Sequence, residues 1–433
     1  NDIKITFYIS ITAKKCLDEG YCNLYSSSAI YTLTVQNGVA LSGIINEDMT
    51  LTNDKLWILE NNVLIPEGVT VTVEPGTRIQ FWSADPNNKY GASPNVYLQV
   101  EGRFIAEGTE GQPIEMFPGK GFEKNPIVIT GRGTSLAYID EKIRDDDYEK
   151  AYVSLKFLTI YNAGYCGNDK YKVFTATVID HCNFVKNDAP SGYLYAKTIS
   201  NTHFPNYKSD ARHNDLGINS FEFSNNILDN FDMSVYSTKF FKNNVILNYQ
   251  CENYAHDSSI ILGTYRLFEK RFETNFIQNA VLNSYYLVPF EKSRTICSLF
   301  SNEDLNGYHA YDISGNYWGT TNPDLVKVQC LDADWDVSRN DLIQEPYLTL
   351  DDDMSDIYPF VTEAYLTDKD GNRIDKVSGA QTVKMHVKFN RDMASDIQPM
   401  VTYGGSEPYT DFAVSGDCAT ARESVSEFKI DPY

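Results

Sequence analysis

The chain has 433 residues, 42% of them hydrophobic, and a formal net charge of -22. This length and apolar content are enough for a large core, so the composition is not that of a disordered chain. The acidic balance argues against nucleic acid as a partner, because phosphate binding depends on clustered Lys and Arg. It equally disfavours an anionic membrane surface, and no apolar run is long enough for a membrane-spanning helix.

The N-terminal segment, residues 1–45, contains two strand-like runs, Ile3 to Ala13 and Ala29 to Val35. Between them, Cys16 and Cys22 enclose a loop short enough to be closed by one disulfide. We therefore hypothesise a Cys16–Cys22 bridge and an oxidising compartment. Eight cysteines without a C-x-x-C pair argue against a zinc ribbon, and the pairing of the other six is left open.

The stretch from Val63 to Trp82 indicates how the central region, residues 46–350, is built. Val69, Val71 and Val73 alternate with polar residues, which is the period of a strand that buries one face. A second short strand, Ile79 to Trp82, follows at once. Two such short strands joined by a corner are typical of a chain that winds as a coil.

Short apolar strands recur through this region, and many end in a similar phrase containing Asn. The pattern predicts that Asn183, Asn201, Asn226, Asn244, Asn275 and Asn316 stack on successive turns, where their amides can hydrogen-bond along a ladder. The spacing between these residues is unequal. We therefore expect connections of variable length to leave one side of the solenoid and to carry the function.

Three motifs in this region resemble the right-handed parallel β-helix proteins of bacterial surfaces. They are Ile65-Pro-Glu-Gly-Val-Thr-Val-Thr-Val-Glu-Pro-Gly-Thr77, Leu98-Gln-Val-Glu-Gly-Arg-Phe-Ile-Ala-Glu-Gly-Thr109 and Gly315-Asn-Tyr-Trp-Gly-Thr320. The resemblance implies an all-β fold, a right-handed parallel β-helix, on a secreted or surface-attached bacterial protein. It implies architecture and no particular activity.

The C-terminal part begins with an acidic stretch, residues 351–359, which is predicted to be a linker. Residues 360–433 then show four alternating strands, and Val387-Lys-Phe-Asn-Arg-Asp-Met393 resembles the bacterial Ig-like domains that follow such β-helices. Four strands are too few for the usual sandwich. We therefore expect a small, partly present Ig-like β-sandwich within a larger multidomain protein.

Catalytic signatures of the β-helical polysaccharide-degrading enzymes are missing from the sequence. A lyase with a Lys or Arg base and calcium remains the alternative, and its candidates are Lys239, Arg266, Lys270 and Arg271, near Asp229, Asp232 and Glu273. His181 and His203 are candidates to stack on neighbouring turns and hold a metal. We predict no cofactor and no catalytic residue, with calcium left open.

Tyrosines are abundant in and beside the connections, and a tyrosine ring with its hydroxyl suits a sugar or a protein partner. The candidate binding residues are Tyr138, Tyr148, Tyr161, Tyr165, Tyr254, Tyr285 and Tyr286. The sequence therefore favours a non-enzymatic cell-surface module that presents loops for adhesion to a glycan or a surface protein. The alternatives are a polysaccharide lyase and a structural spacer in a surface layer or filament; the oligomeric state is left open.

Overall fold

The computed structural model describes residues 3–16, 22–35, 38–82, 96–119, 127–131, 151–164, 174–185, 194–205, 217–229, 234–247, 260–262, 275–282, 310–327, 341–394, 400–404, 406 and 411–430. For the first two of these ranges it describes the backbone alone. The described chain is nearly all β, with one short helix, α1 (Pro323–Lys327). No helix in this part of the chain is long and apolar enough to cross a membrane.

The strands fall into three groups along the chain. The N-terminal pair is β1 (Ile3–Cys16) and β2 (Cys22–Val35). The central strands are β3 (Gly38–Ile44), β4 (Met49–Leu51), β5 (Leu56–Ile65), β6 (Thr70–Val73), β7 (Arg78–Phe81), β8 (Tyr97–Val100), β9 (Arg103–Glu107), β10 (Ile114–Pro118), β11 (Val128–Gly131), β12 (Tyr152–Lys156), β13 (Leu158–Tyr161), β14 (Phe174–Asp180), β15 (Asn183–Val185), β16 (Leu194–Ser200), β17 (His203–Pro205), β18 (Gly217–Ser224), β19 (Ile227–Asp229), β20 (Ser234–Lys242), β21 (Val245–Leu247), β22 (Ile260–Leu262), β23 (Asn275–Ile277), β24 (Ala280–Leu282), β25 (Ala310–Asp312) and β26 (Asp341–Ile343). The C-terminal strands are β27 (Val361–Thr367), β28 (Arg373–Ile374), β29 (Gln381–Phe389), β30 (Met400–Tyr403), β31 (Phe412–Ser415), β32 (Asp417–Thr420) and β33 (Glu423–Ile430).

Most central strands belong to two long parallel sheets. One sheet has 12 strands in the order β11-β8-β5-β7-β10-β13-β15-β17-β19-β21-β24, with β3 beside β5; the other has 10, in the order β22-β20-β18-β16-β14-β12-β9-β6-β4, with β23 beside β20. The chain passes back and forth between them, so that each new strand lies beside an earlier one. The predicted all-β class is confirmed, and this arrangement is consistent with a β-helix or solenoid. We call one passage through the 10-stranded and then the 12-stranded sheet a coil.

The predicted corner between the first two strands is also confirmed. β6 lies in the 10-stranded sheet and β7 in the 12-stranded sheet, so they do not form a hairpin. Val71 and Val73 are buried, as their alternation predicts. The side chains that point inward from both sheets fill a continuous apolar interior.

Stacked phenylalanines fill the later coils. Phe184, Phe204, Phe223 and Phe241 are fully buried, and their neighbouring ring centroids lie 5.1, 6.1 and 5.1 Å apart. Burial of each such ring contributes roughly 2–3 kcal/mol. The register of successive coils therefore places each of these phenylalanines against the phenylalanine of the next coil.

A buried asparagine ladder runs beside this stack, as the sequence predicts, but its membership differs. The Asn226 backbone N–H and Nδ2 donate to Asn244 Oδ1, and Asn279 donates in the same way to Asn316 Oδ1. The prediction of Asn275 was wrong, because it lies in β23, one corner before Asn279. Asn183 and Asn201 were also wrong: the buried positions on those coils are Cys182 and Thr202, and Thr202 N–H donates to Asn226 Oδ1.

The C-terminal strands form an antiparallel unit after the coils. A five-stranded sheet has the order β28-β27-β29-β33-β32, and β30 pairs with β31. The four strands predicted from the sequence correspond to β27, β29, β30 and β31, whereas β28, β32 and β33 were not predicted. A turn at Asp368 connects β27 to β28, since Asp368 Oδ1 accepts the N–H groups of Asp370 and Asn372.

The N-terminal pair is an antiparallel hairpin. β1 and β2 contain the two strand-like runs of the sequence, but β1 ends three residues later and β2 begins seven residues earlier than predicted. Both cysteines therefore belong to strands, and the register places Cys16 directly opposite Cys22. Their side chains lie outside the described residues. The Cys16–Cys22 disulfide stays a prediction.

Candidate binding surface

One side of the coils is closed by short corners of constant form. From β12 onward, the chain goes from the 10-stranded to the 12-stranded sheet through one or two residues, and one residue at each corner has a positive φ. These residues are Phe157, His181, Asn201, Asn225, Asn243 and Gln278, with φ between 50° and 59°. Asn adopts this left-handed conformation more easily than most residues, which explains its recurrence here.

At the five corners from His181 onward, the residue after the left-handed one belongs to the ladder. Cys182, Thr202, Asn226, Asn244 and Asn279 occupy this position, and all are buried. The corners thus have no space for long insertions. This side of the coils is a structural seam.

The opposite side carries the long connections. From β13 onward, the chain leaves the C-terminal end of each strand of the 12-stranded sheet through residues 162–173, 186–193, 206–216, 230–233, 248–259 and 283–309. Parallel neighbours in a sheet lie about 4.8 Å apart, so these connections begin side by side along one edge. We call this edge the connection edge. Variable connections on one side were predicted from the sequence, and the strand order places them there.

Four predicted binding tyrosines belong to connections that start at the connection edge: Tyr165, Tyr254, Tyr285 and Tyr286. Tyr138 and Tyr148 belong to the connection between β11 and β12. All six lie outside the described residues. The seventh, Tyr161, is the last residue of β13; it is half-buried on the connection edge, and its register neighbour is Val185.

Beside the seam, the outer face of the 10-stranded sheet carries a carboxylate cluster around Asp180. Asp180 Oδ1 accepts hydrogen bonds from Ser200 Oγ and Asn201 Nδ2, both at 2.8 Å, and lies 3.0 Å from His181 Nδ1. Burial raises the pKa of Asp180, but these three partners together outweigh burial and lower it below its ordinary value. Ser200 and Asn201 belong to the next coil, so their hydrogen bonds to the Asp180 carboxylate link two neighbouring coils. The carboxylate therefore has a structural role.

A second ionic contact lies one coil earlier on the same face. Glu107 accepts a hydrogen bond from Ser154 Oγ at 2.6 Å and lies 3.0 Å from Lys156 Nζ. The Ser154 hydroxyl, followed by Lys156, lowers the pKa of Glu107, and Glu107 in turn raises the pKa of Lys156. These shifts favour the charged pair at neutral pH and do not prepare a proton donor or acceptor.

The two histidines proposed as a metal pair do not stack. His181 occupies a corner, where its ring stacks on Phe157 at 4.5 Å, whereas His203 lies in β17 with Asn183 as its register neighbour. Desolvation lowers the pKa of His203, and Asp229 only partly opposes this. Within the described residues, no group of three metal-ligating side chains is present.

Of the alternative lyase site, the structure describes Asp229 and the backbone of Lys239, which lies in β20. The side chain of Lys239 and the other five residues lie outside the described part of the chain. Asp229 ends β19 on the connection edge. In the acidic stretch Asp351–Asp353, two carboxylates accept hydrogen bonds within local turns. Asp352 Oδ2 accepts from the Thr349 N–H and hydroxyl, and Asp353 Oδ1 accepts from Ser355 N–H, so both close local turns.

The outer face of the last coils of the 12-stranded sheet is covered by the connector, residues 347–360. Val245, Ala280 and Tyr317 pack there with Met354, Ile357 and Phe360. Tyr317 and Phe360 stack with ring centroids 5.7 Å apart, and Tyr358 N–H donates to Asn243 O. Residues 351–359 were predicted to be an acidic linker because of their net charge. The structure shows that the apolar residues of this segment pack against the coils.

Asn390 fixes the connector to the C-terminal sheet. Its Oδ1 accepts from Phe360 N–H at 2.8 Å, and its Nδ2 donates to Met354 O and Ile357 O. Sequence reasoning missed this residue. The sequence does show a polar residue directly after an alternating strand, but this pattern alone does not identify its partners. Those partners lie 30 or more residues away in sequence.

The described geometry thus separates a closed seam, a covered face and one edge from which the connections leave. No protein-family model, curated protein or solved structure matches the chain.

Proposed function

We propose that this protein is a non-enzymatic, exported cell-surface module that binds a glycan or a surface protein through its long connections. In this proposal the parallel sheets form a right-handed β-helix, residues 360–433 form an Ig-like domain, and both belong to a larger multidomain surface protein. The observation that carries the proposal is the strand order, which makes the connections leave along one edge of a regular scaffold.

The contrast between the two sides of the coils supports this function. The seam keeps corners of one or two residues between the two sheets from β12 onward, whereas the connections differ in length from coil to coil. Loops on a rigid scaffold are common binding elements, because the scaffold pays little conformational entropy when a ligand binds. Tyrosines concentrated in such loops provide large, amphipathic contact area.

The carboxylates that form ionic contacts on the outer face of the 10-stranded sheet do not have the pKa shift of a general acid. The carboxylates of Asp180 and Glu107 are both shifted toward the charged form by partners that they already hold. A general acid requires the opposite shift. A polysaccharide lyase is therefore the alternative that the functional test must separate.

The test is binding of the whole chain to a glycan array and to cells, with a parallel assay for cleavage of uronic-acid polymers. A triple variant, Tyr254→Ala with Tyr285→Ala and Tyr286→Ala, should reduce binding at least tenfold, since aromatic anchors dominate such interfaces. The matched control is Phe412→Ala, an aromatic that is 59% exposed on β31, far along the chain from the connections. Ultraviolet-absorbing product without binding would replace the proposal with a lyase.

A further inference from the structure

The N-terminal end of the coils presents two strand edges. Among the described residues, β3 pairs only with β5 and β4 pairs only with β6, so each lies at the end of its sheet. An uncovered edge offers unpaired N–H and C=O groups to any other strand, and native proteins usually cover or block it.

The interior is apolar at this same end. An internal space is lined by Leu41, Ile45, Leu51 and other aliphatic and aromatic side chains. On β3 itself, Val39 is 39% and Ile44 is 57% exposed. Among the described side chains, the first coil thus has no apolar neighbour of the kind that every later coil receives from the coil before it.

The β1–β2 hairpin has one apolar row by its register. Ile5 lies opposite Leu33, Phe7 opposite Tyr31, and Ile9 opposite Ala29, and alternate residues of a strand share a face. The other row contains mainly polar pairs, such as Thr6 with Thr32 and Ser10 with Ser28. A two-stranded hairpin is only marginally stable in water unless such a face packs against an apolar surface.

We propose that the β1–β2 hairpin caps the N-terminal end of the coils, with its apolar row over the end of the interior. Only residues 36 and 37 join β2 to β3, so the hairpin is held beside this end at high effective concentration. Each surface supplies what the other lacks: the hairpin needs an apolar support, and the first coil needs a cover. The cap also blocks edge-to-edge association through β3.

The test is hydrogen exchange of the full chain, followed by mass spectrometry of peptides covering residues 38–65. Ile5→Asp places a charge in the apolar row, and Thr6→Asp places the same charge in the polar row one residue later. If the hairpin caps the coils, Ile5→Asp removes an apolar side chain from the contact and weakens the cap. Hydrogen exchange in β3 and β5 should then be about tenfold faster or more. Thr6→Asp should leave that exchange within about twofold.

Three results would overturn the proposal. The first is faster exchange within β1 and β2 of Ile5→Asp while residues 38–65 stay unchanged, which would show that the hairpin melts without supporting the coil. The second is an equal effect of Thr6→Asp and Ile5→Asp on residues 38–65. The third is exchange of β3 that rises on dilution together with a dimer in light scattering, which would assign the cover to a second copy of the chain.

Discussion

Asn244 and Asn279 lie 35 residues apart in sequence, yet the Asn244 backbone N–H and Nδ2 both donate to Asn279 Oδ1, at 2.9 and 3.0 Å. Both side chains are fully buried. The Asn244 amide also donates to Phe223 O in the preceding coil, so one side chain joins three coils. The ladder is therefore a device that fixes the register of turns whose connections vary in length.

Removing one ladder amide should destabilise the coils strongly. Asn244→Ala deprives the Asn226 N–H and Nδ2 of their acceptor and removes the Nδ2 donor from Asn279 Oδ1 and Phe223 O, all in a buried site, while the backbone N–H of residue 244 still donates to Asn279 Oδ1. We expect a loss of about 3 kcal/mol or more in the free energy of unfolding, measured by urea denaturation. Asn225→Gly, at the adjacent left-handed corner, is the control and should change stability by less than about 1 kcal/mol. Equal effects of the two substitutions would contradict a special role for the ladder.

The ladder should also accept one more amide. Thr202 occupies a ladder position, and Cys182 N–H reaches its hydroxyl only at 3.4 Å. Thr202→Asn should be neutral or stabilising, because the new amide oxygen replaces this long contact. Thr202→Val removes the hydroxyl and its bond to Ser200 O, and should cost about 1–2 kcal/mol. If the Asn variant is the weaker of the two in urea denaturation, continuity along the ladder is not what stabilises this site.

Asp180 should make stability depend on pH in the acid range. Its pKa in the folded protein is below its ordinary value, so its contribution is present above the unfolded pKa, near 3.8, and is lost as pH falls through the folded pKa. Asp180→Asn should therefore lower stability at neutral pH and flatten the decline of stability below about pH 4. Thermal unfolding from pH 2 to 7 measures this. Glu110→Gln, at an exposed position, should leave the decline unchanged.

Cys182 should be chemically silent in the native protein. Burial raises the pKa of its thiol to about 12, so almost no thiolate forms at neutral pH. Iodoacetamide should modify Cys182 only after unfolding, which peptide mass mapping in buffer and in urea detects. Rapid native modification would mean that the coil opens locally around β14 and β15.

Asn390 should couple the connector to the C-terminal sheet. Asn390→Ala removes the side-chain acceptor of Phe360 N–H and the side-chain donor to the Met354, Ile357 and Tyr358 carbonyls, and should accelerate hydrogen exchange across residues 354–360. Asn372→Ala removes an exposed bond to Asp368 in the same domain and should leave the connector unchanged. Unchanged exchange in both variants would show that packing of Tyr317 on Phe360 alone holds the connector.

The parts of the fold that could be predicted from sequence are those fixed by local patterns. Alternation at Val69 to Val73 and the recurrence of Asn gave strands, corners and a ladder, because these depend on residues close in sequence. Asn275 was predicted because its local phrase resembles the others, whereas the structure places Asn279 in the ladder, between Asn244 and Asn316. Asn390 and the apolar side of the connector were missed because their partners are remote.

The candidate site divides in the same way. The unequal spacing of the Asn residues predicted that the connections leave one side of the coils. Which side they leave could not be predicted, because it depends on which corner carries the left-handed residue and the buried amide. Tyr161 is the last residue of β13, where a connection begins, and its role in binding stays a prediction. The stacking of His181 with His203 was wrong, because the two residues belong to different positions of the coil, one in a corner and one in a strand.

The central claim is that the connections bind and the coils only support them, and β19 and β20 offer the most direct test. This crossing needs only residues 230–233, whereas residues 248–259 make the next one. Because Leu247 pairs with Asp229 and Ile260 pairs with Val235, residues 248–259 can be replaced by Asn-Phe-Asp-Met-Ser, the sequence of residues 230–234, without a change of register. The account predicts that the melting temperature of this variant stays within about 3 °C of the parent while binding to the partner found in the screen falls at least tenfold. Full binding with the same melting temperature would contradict a role for this connection, and loss of folding would contradict its independence from the scaffold.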